Sequence, residues 1–316
     1  MEKSGNDRIT GMDDFFRCQL NQWPLAKKNY DDLDRVLIRD VAMPGNSLVR
    51  VQFNPARMRS SAARVDKKSI SERPCFLCAG NLPPEQKKIM FGDSYMVLVN
   101  PFPIFRRHLT IALTGHKDQL IRGRFVDMLT LARALEDYTL FYNGPRCGAS
   151  APDHFHFQAG IRGFMPVEKE ARTLPRKRIK KEGAVVIDAL EGCHRKTLVM
   201  EGDSPGELDR WFTKIYDILQ DMQPGENEPM LNILAGYYGG IWRVVVFPRE
   251  RHRPWQFEAE GEKQILLSPA SVDFGGVWIT PRQEDYEKID QAVISDIFSQ
   301  VSLGEAAWAQ LPERLG

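Results

Sequence analysis

The sequence has few cysteines, no long apolar run and almost no net charge, which argues against several common classes of protein. Its 316 residues include five cysteines, an odd number that does not suit a disulfide framework and indicates a reducing compartment. No apolar run approaches the ~18 to 20 residues needed to cross a bilayer, and the N-terminal MEKSGNDRIT lacks the apolar segment of a signal peptide. A formal net charge of +1 gives no basis for general binding to nucleic acid or anionic membranes. These absences predict a cytoplasmic globular protein that binds neither nucleic acid nor membrane.

The composition that remains is that of an ordinary globular chain, with enough length for a large core or two fused halves. Alternation predicts strands over 47–53, 94–99 and 108–113. Apolar spacing predicts an amphipathic helix over 124–142. A second helix is predicted over 206–222, because Ser204 and Pro205 suit the cap and the first helical position.

The most informative stretch is 143–160, NGPRCGASAPDHFHFQAG. If its end is a strand, His154, His156 and Gln158 share one face, because successive side chains of a strand point to opposite faces. Phe155 and Phe157 then point to the other face, into a core. The sequence therefore predicts two imidazoles and an amide side by side on an open surface.

The residues before this strand are small, and they include Asn143, Gly148, Ala149 and Ser150. Such a loop can bring backbone N–H groups close to a phosphate. Two histidines spaced by one residue often do no more than hydrogen-bond within a strand. The preceding loop and the following glutamine favour a phosphoryl site instead.

Cys75 and Cys78 form a C-x-x-C motif with three competing interpretations: half a zinc site, a redox dithiol, or two core thiols. The βαβ context of a redox dithiol is not apparent. Zinc binds thiolate and imidazole together, and His116 and His154 are candidate donors, with His108 as the alternative to His116. A structural zinc ion is the favoured interpretation.

Two segments are rich in charge. The first, 56–73, is either a solvated basic loop or a place where Arg57 or a neighbour contacts an anionic ligand. The second, 168–182, is predicted to be solvated. It lies in a proposed linker over 166–203, between a catalytic half at 1–165 and a second half at 204–316.

The second half repeats the order of helix, strand, glycine-containing turn and alternating strand. In that alternating strand Trp242, Val244 and Val246 take the places of the histidines. We interpret this as an internal duplication in which only the first copy kept the chemistry. Two fused halves are compatible with a monomer or a homodimer.

The motifs CFLCAGN and NGPRCGASAPDHFHFQ, with the intervening His116, resemble the galactose-1-phosphate uridylyltransferase branch of the histidine-triad superfamily. The resemblance implies an α+β, histidine-triad-like fold, here duplicated into two halves that each have an antiparallel sheet and packed helices. It implies four zinc ligands, a nucleophile at His156 and phosphoryl contact through Gln158. The implied ligands are Cys75, Cys78, His116 and His154.

Other stretches are similar to the nucleotide phosphorylases of the same superfamily. VQFNPARMRS and SPASVDFGGVWITPRQEDYEK resemble GDP-L-galactose phosphorylase, and MLNILAGYYGGIWRVVVFPRE resembles diadenosine tetraphosphate phosphorylase. The candidate substrate-binding residues are Asn54, Arg57, Asn143, Gly148 and Ser150. Phe155 departs from the uridylyltransferases, which have proline between the histidines, and the C-x-x-C departs from the plant-type GDP-sugar enzymes, so neither substrate is carried over.

The expected function is that of a nucleotidyltransferase or nucleotide phosphorylase with a covalent nucleotidyl-histidine at His156. Its substrate would be a nucleoside diphosphate sugar or a dinucleoside polyphosphate, and the acceptor would be phosphate or a sugar phosphate. A phosphate leaving group is a stable anion, so Gln158 can stand where hydrolases of this superfamily have a third histidine. A dinucleotide hydrolase and a non-catalytic nucleotide-binding protein are the alternatives.

Overall fold

The structure is a computed structural model that describes residues 8–57, 70 and 72–316. Much of the basic segment between Arg57 and Arg73 therefore lies outside the described residues. The expectation that a neighbour of Arg57 contacts an anion falls largely on that stretch. Arg57 and Arg73 themselves are described.

Thirteen strands form two sheets in this part of the chain. The strands are β1 Leu37–Met43, β2 Ser47–Phe53, β3 Lys88–Phe91, β4 Tyr95–Val99, β5 Leu109–Leu113, β6 Tyr138–Asn143, β7 His156–Ile161, β8 Arg176–Glu182, β9 Val185–Leu190, β10 Leu198–Gly202, β11 Leu231–Tyr238, β12 Ile241–Pro248 and β13 Val277–Thr280. The small sheet has the order β1-β2-β13, and the large sheet contains the other ten strands.

The α-helices lie on both faces of the large sheet. They are α1 Met12–Gln22, α2 Pro24–Asp31, α3 Phe125–Ala134, α4 Pro166–Thr173, α5 Pro205–Met222, α6 Trp255–Glu258, α7 Ser271–Phe274, α8 Gln283–Lys288, α9 Gln291–Val301 and α10 Glu305–Leu315. The prediction for α5 is confirmed, and the Ser204 side chain accepts the Glu207 N–H. Across the described ranges, no helix is both long and apolar enough to span a bilayer.

The helix predicted over 124–142 is right only in its first half. Helix α3 ends at Ala134, and Leu135 has left the helical region with φ −115° and ψ 55°. The aromatic residues that follow form β6, which pairs with β7 on one side and β11 on the other. Apolar spacing alone could not separate a buried helix from a buried central strand, because both faces of β6 are covered.

The large sheet is antiparallel throughout and has the order β3-β4-β5-β7-β6-β11-β12-β10-β9-β8. Read inward from one edge the order is 3-4-5-7-6, and read inward from the other it is 8-9-10-12-11. Helix α3 connects β5 to β6, and α5 connects β10 to β11 in the same way. The duplicated α+β fold is therefore confirmed, and the two halves share one continuous sheet.

The segment 166–203, expected to be a linker, is instead structured. It contains α4 and the strands β8, β9 and β10, which are the first three strands of the second half. The lysines and arginines of β8 lie on an edge strand and are largely solvent-exposed. Charge on an exposed edge is a common protection against aggregation, so high charge there does not exclude a strand.

The prediction of which β12 side chains lie on the face of the histidines was wrong by one residue. Directly paired residues lie on the same face, and the pairs join Gln158 to Phe141, Phe141 to Leu234, and Leu234 to Val245. Val245, not Val244, therefore lies on the face that carries the histidines. Trp242, Val244 and Val246 correspond to the phenylalanines of β7, because a shift of one residue exchanges the faces of a strand.

The two faces of the large sheet carry two separate cores. Phe155 and Phe157 pack with α3 and α5 on one face. On the other face the small sheet, α4 and α9 cover the second half and enclose Val245 and Phe247. The equivalent area of the first half, around His156 and Gln158, is left as a cavity wall.

Gly160 offers a test of this packing. A Cβ at this position would lie 2.0 Å from Cε2 of Phe105, whose buried ring packs against His108 and Phe164. We expect Gly160→Ala to lower the free energy of unfolding by about 1–3 kcal/mol, measured by urea denaturation, because an overpacked core must distort. Gly206→Ala is the control, since no atom lies within 4 Å of its added Cβ, and it should not destabilise. Equal stability of the Gly160 variant and the native protein would contradict this account of the core.

Candidate functional site

A cavity of about 670 Å³ lies on the face of the large sheet that carries His156 and Gln158. Both halves of the chain contribute to its wall, with Asn143 and Ser150 on one side and His252 and Ser268 on the other. Exposed Leu25 and Phe76 also line it, so part of its wall is apolar and reaches the protein surface. The volume and the mixed lining suit a nucleotide-sized ligand.

The imidazole of His156 is held in one tautomer by the main chain. Its Nδ1 lies 2.9 Å from the carbonyl oxygen of His154, which can only accept a hydrogen bond. Nδ1 therefore carries the proton, and Nε2 carries the lone pair on a ring that lines the cavity. Burial lowers the pKa of His156 to about 4, so the ring is neutral at neutral pH.

The backbone around His156 is fixed by a side chain from outside the sheet. Strands β6 and β7 pair as far as Phe141 and Gln158. Beyond that pair, the side chain of Gln119 connects the two backbone segments. The Gln119 amide donates to the carbonyls of Asn143 and His156 at 3.0 and 2.9 Å, and its oxygen accepts the His156 N–H at 2.8 Å. Gln119 therefore lets the strands separate at the cavity without leaving unpaired main-chain groups.

The amide of Gln158 is oriented by His108. Nδ1 of His108 accepts the Ile104 N–H at 3.3 Å, so its Nε2 bears the proton and donates to Oε1 of Gln158 at 2.9 Å. Burial lowers the pKa of His108 to about 3, and the nearby Arg57 acts in the same direction. With its oxygen occupied, Gln158 has its NH₂ group available to donate to a ligand.

The loop before β7 has the features of an anion cradle. The N–H groups of Gly148, Ala149 and Ser150 have no protein acceptor among the residues that the structure describes. Gly148 has φ +95°, and a Cβ there would lie 2.5 Å from the Cβ of Ala270. The glycine is therefore required both by the backbone conformation and by close packing against the C-terminal half.

Of the other predicted substrate-binding residues, two line the cavity and one does not. Asn143 lines the cavity, but its Oδ1 already accepts hydrogen bonds from Asn232 Nδ2 and the Ser271 N–H. Arg57 lines the cavity and donates to the Phe102 carbonyl at 2.7 Å; burial lowers its pKa to about 10, so it stays charged. Asn54 is buried and does not reach the cavity wall, and its main chain instead pairs with that of Thr280.

The four predicted metal ligands come together beside the cavity. The ligand atoms of Cys75, Cys78, His116 and His154 all lie within 4.8 Å of one another. The Sγ of Cys75 is 3.2 Å from Nδ1 of His154, and the Sγ of Cys78 is 3.2 Å from Nδ1 of His116. Such separations are near the edges of a tetrahedron built from bonds of about 2.0–2.3 Å.

The tautomer of His154 also suits a ligand. Its Nε2 lies 2.8 Å from the Leu113 carbonyl and donates to it, so Nδ1 presents a lone pair to the two sulfurs. His108 is not part of this cluster, because its ring is bonded to Ile104 and Gln158. The cluster can therefore hold a metal ion, with His116 as the fourth ligand.

One ion pair connects the cluster to the loop. Arg73 lies 3.2 Å from Asp153 and 3.4 Å from the carbonyl of Ser150, and the other Asp153 oxygen is 3.9 Å from Nε2 of His116. The ligand set, the cradle and the start of β7 therefore form one connected structure.

Three contributors to the site were not assigned a role in it from the sequence. Gln119 is one residue in a polar loop, and nothing local indicates its contact with β7. Asp273 lines the cavity and accepts the Ala270 N–H, and burial raises its pKa to about 7. His108 lies two residues before Thr110, which pairs with Gln158, so His108 and Gln158 lie on the same face; this pairing is visible only in the structure.

Comparison with known proteins was consistent with this geometry. Residues 15–161 match the family model described as "Domain of unknown function (DUF4922)". Residues 166–315 match the model described as "GDPGP1-like, C-terminal domain". No curated protein gave a significant match.

Among solved structures, yeast Ap4A phosphorylase Apa2 is similar with a TM-score of 0.59, at 16% identity over 90% of this chain and 98% of that chain. Its complex with Ap4A gives a TM-score of 0.54, at 15% identity over 90% and 97% of the two chains. At these identities the similarity establishes the fold. The chain thus matches a DUF4922 domain over its first half and a GDPGP1-like C-terminal domain over its second half, and the whole chain shares the fold of yeast Ap4A phosphorylase Apa2.

Proposed function

We propose that this protein is a nucleotidyltransferase of the phosphorylase type that works through a covalent nucleotidyl-histidine at His156. The observation that carries the proposal is the hydrogen bond from Nδ1 of His156 to the His154 carbonyl. It fixes the tautomer in which Nε2 is an unprotonated nucleophile in a cavity. The neutral ring is ready to attack without a separate base.

In the first step, Nε2 of His156 attacks the α-phosphorus of a bound nucleotide. A P–N bond forms while the bond from that phosphorus to the bridging oxygen breaks, and the leaving phosphate keeps the electron pair. In-line displacement at phosphorus needs positioning and neutralisation of the equatorial oxygens more than it needs acid–base groups. Such a leaving group is a stable anion, which fits the neutral Gln158 beside the nucleophile.

The equatorial oxygens would be bound by neutral donors and one cation. The donors are the N–H groups of Gly148, Ala149 and Ser150, which have no acceptor in the described part of the chain, and the NH₂ group of Gln158. Arg57, on the cavity wall, supplies positive charge. Donors that are already oriented stabilise developing charge at little reorganisation cost, a large term in enzymatic catalysis.

In the second step a phosphate or sugar phosphate attacks the nucleotidyl-histidine. An oxygen of the acceptor forms the new P–O bond, and the electron pair of the P–N bond returns to Nε2. Yeast Ap4A phosphorylase Apa2, which has a similar fold, binds Ap4A and AMP in its crystal structures. For this chain we therefore propose a dinucleoside polyphosphate or a nucleoside diphosphate sugar as the donor.

The residues of the metal cluster fit a structural zinc ion. Cys75, Cys78, His116 and His154 would fill a four-coordinate shell, and such a site leaves no open position for substrate. The ion would hold together the segment before β3, the loop after β5 and the residue two positions before the nucleophile. Its contribution would be to position β7.

The first test is capture of the intermediate. Wild-type protein is incubated with UDP-, GDP- and ADP-sugars and dinucleoside polyphosphates labelled at the α-phosphorus, and intact-protein mass and bound label are measured. We expect His156→Ala to abolish capture and to lower turnover by on the order of 10⁴-fold or more, because the proposed P–N bond forms at its Nε2. His194→Ala is the control, since His194 lies outside the cavity beside Ser295, and it should retain both. Equal labelling of the His156 variant would refute the nucleophile.

The second test concerns His108 as a positioning residue for Gln158. His108→Phe should lower kcat by about three- to tenfold, since a neutral hydrogen bond contributes roughly 0.5–1.5 kcal/mol. The double variant with Gln158→Ala should be no slower than Gln158→Ala alone, because both changes remove one interaction. His108→Gln, which can still donate, should recover part of the rate. Additive effects would show that His108 acts on the fold and not on Gln158.

The third test is metal content. Purified wild-type protein should contain about one equivalent of zinc by elemental analysis, as expected for a closed four-ligand site. Cys75→Ser should lose most of it and unfold at a lower temperature, because the binding energy of a structural metal is folding energy. Cys18→Ser, at an exposed cysteine on α1, should keep its zinc. Near-zero zinc in all three proteins would remove the metal from this account.

A further inference from the structure

The C-terminal half contributes a polar corner to the cavity that the chemistry of His156 and Gln158 does not use. It consists of His252 and Arg253, on the turn after β12, and Ser268, all of which line the cavity. Nε of Arg253 donates to Oγ of Ser268 at 3.2 Å, and Nε2 of His252 lies 3.5 Å from the same hydroxyl. We call these three residues the C-terminal corner.

The guanidinium of Arg253 is held in place without a contact ion pair, and the opposite charge acting on it is that of Glu258, which makes no hydrogen bond to it. Its Cζ lies 3.9 Å from the centroid of the Phe257 ring, so the group is stacked on an aromatic face. Its two terminal nitrogens have neither a hydrogen-bond acceptor nor a carboxylate ion-pair partner within the described ranges. A fixed guanidinium with two free donors suits bidentate binding of a phosphate.

The corner is rigid because a buried arginine holds its main chain. Nη2 of Arg249 donates to the carbonyls of Arg251 and His252 at 2.8 and 2.9 Å. Nη1 of the same residue donates to the Pro269 carbonyl at 2.6 Å, next to Ser268. One side chain therefore fixes both segments that carry the corner.

The corner also lies close to the loop that would hold the α-phosphate. Ala270, two residues after Ser268, packs against Gly148 so closely that an added Cβ would approach its Cβ to 2.5 Å. Asn232, which binds Arg249, also donates to the Cys147 carbonyl at 2.8 Å. An anion in the corner would therefore lie next to a phosphate bound at the N–H groups of Gly148 and Ala149.

We propose that His252, Arg253 and Ser268 form the subsite for the second phosphate of the reaction: the phosphate that leaves the donor and then the phosphate that attacks the intermediate. This inference rests on the proposed function. In-line displacement places both groups on the side of phosphorus opposite the nucleophile. His156 comes from the N-terminal half, and the corner faces the same cavity from the C-terminal half.

The second half-reaction transfers the nucleotidyl group from His156 to the acceptor phosphate. An oxygen of inorganic phosphate, or of a phosphate monoester such as a hexose 1-phosphate, forms a bond to the nucleotidyl phosphorus. The P–Nε2 bond of His156 breaks, and its electron pair returns to the ring. With inorganic phosphate the product is a nucleoside diphosphate, and any hydrogen of the phosphate stays on its terminal group.

The test compares Arg253→Met with Arg251→Met, a change on the same turn at an exposed residue that does not line the cavity. Binding of inorganic phosphate to the unreacted protein is followed by phosphorus NMR. We expect the half-saturating concentration to rise on the order of tenfold or more in Arg253→Met, as for loss of a charge-assisted contact. Arg251→Met should match the wild type, and Ser268→Ala should fall between them. Unchanged phosphate binding in Arg253→Met would overturn the subsite.

A second measurement separates this inference from the proposed function. Protein carrying the trapped label is mixed with inorganic phosphate or with a hexose 1-phosphate, and release is measured against acceptor concentration. A higher half-saturating concentration in Arg253→Met, for whichever acceptor releases the label, supports the subsite. Release with unaltered concentration dependence refutes the subsite but leaves the His156 intermediate standing. If the wild type captures no label although Arg253→Met has lost phosphate binding, the proposed function fails and the anion subsite stands.

Discussion

The hydrogen bond between Nδ1 of His156 and the carbonyl of His154 is the interaction on which the rest of the site depends. It is made within one short turn of chain, so it needs no partner from elsewhere in the fold. Its geometry holds only because the chain before β7 is itself held, by Gln119 at the main chain of His156 and by the Leu113 carbonyl at the ring of His154. The group of Cys75, Cys78, His116 and His154, the loop before β7 and the strand pairing all adjoin this one imidazole.

The large sheet explains why one half presents polar side chains to the cavity from its strands and the other does not. On the face of His156, the first half is left open as a cavity, whereas in the second half the small sheet, α4 and α9 cover Val245 and Phe247. A residue that contacts substrate must be accessible from the cavity, whereas a residue that packs in a core is covered by other side chains. The second half is consequently apolar on this face, and its contribution to the cavity comes from the turn and loops beyond β12.

Much of the site follows from local sequence patterns. Alternation along one strand placed His154, His156 and Gln158 on one open face; His156 and Gln158 do line the cavity, but His154 precedes β7 and is fully buried. The resemblance grouped the C-x-x-C with His116 and His154, which the structure brings together. The fold class was also predicted. These inferences depend on spacing within a strand or on an intact motif, both of which the sequence contains directly.

The features that could not be predicted depend on register and on contacts between distant segments. The face of Val245 is set by a chain of cross-strand pairs that begins at Gln158. The link from His108 to Gln158 requires knowing that β5 lies beside β7. The many charged residues of β8 make it hard to recognise as a strand from the sequence, because an edge position tolerates them. In β6, burial on both faces removes the alternation that distinguishes a strand from a helix.

The central pairing of β6 with β11 has a consequence for how such a protein can change over time. A protein assembled from two separate copies would lose its shared pocket on dilution, and each copy would expose a bare central strand. Here β6 and β11 belong to one polypeptide, so the pairing of the two halves does not depend on protein concentration. Because the symmetry is internal, each copy was free to diverge: the first presents His156 and Gln158 to the cavity, and the second contributes His252, Arg253 and Ser268 to the same cavity.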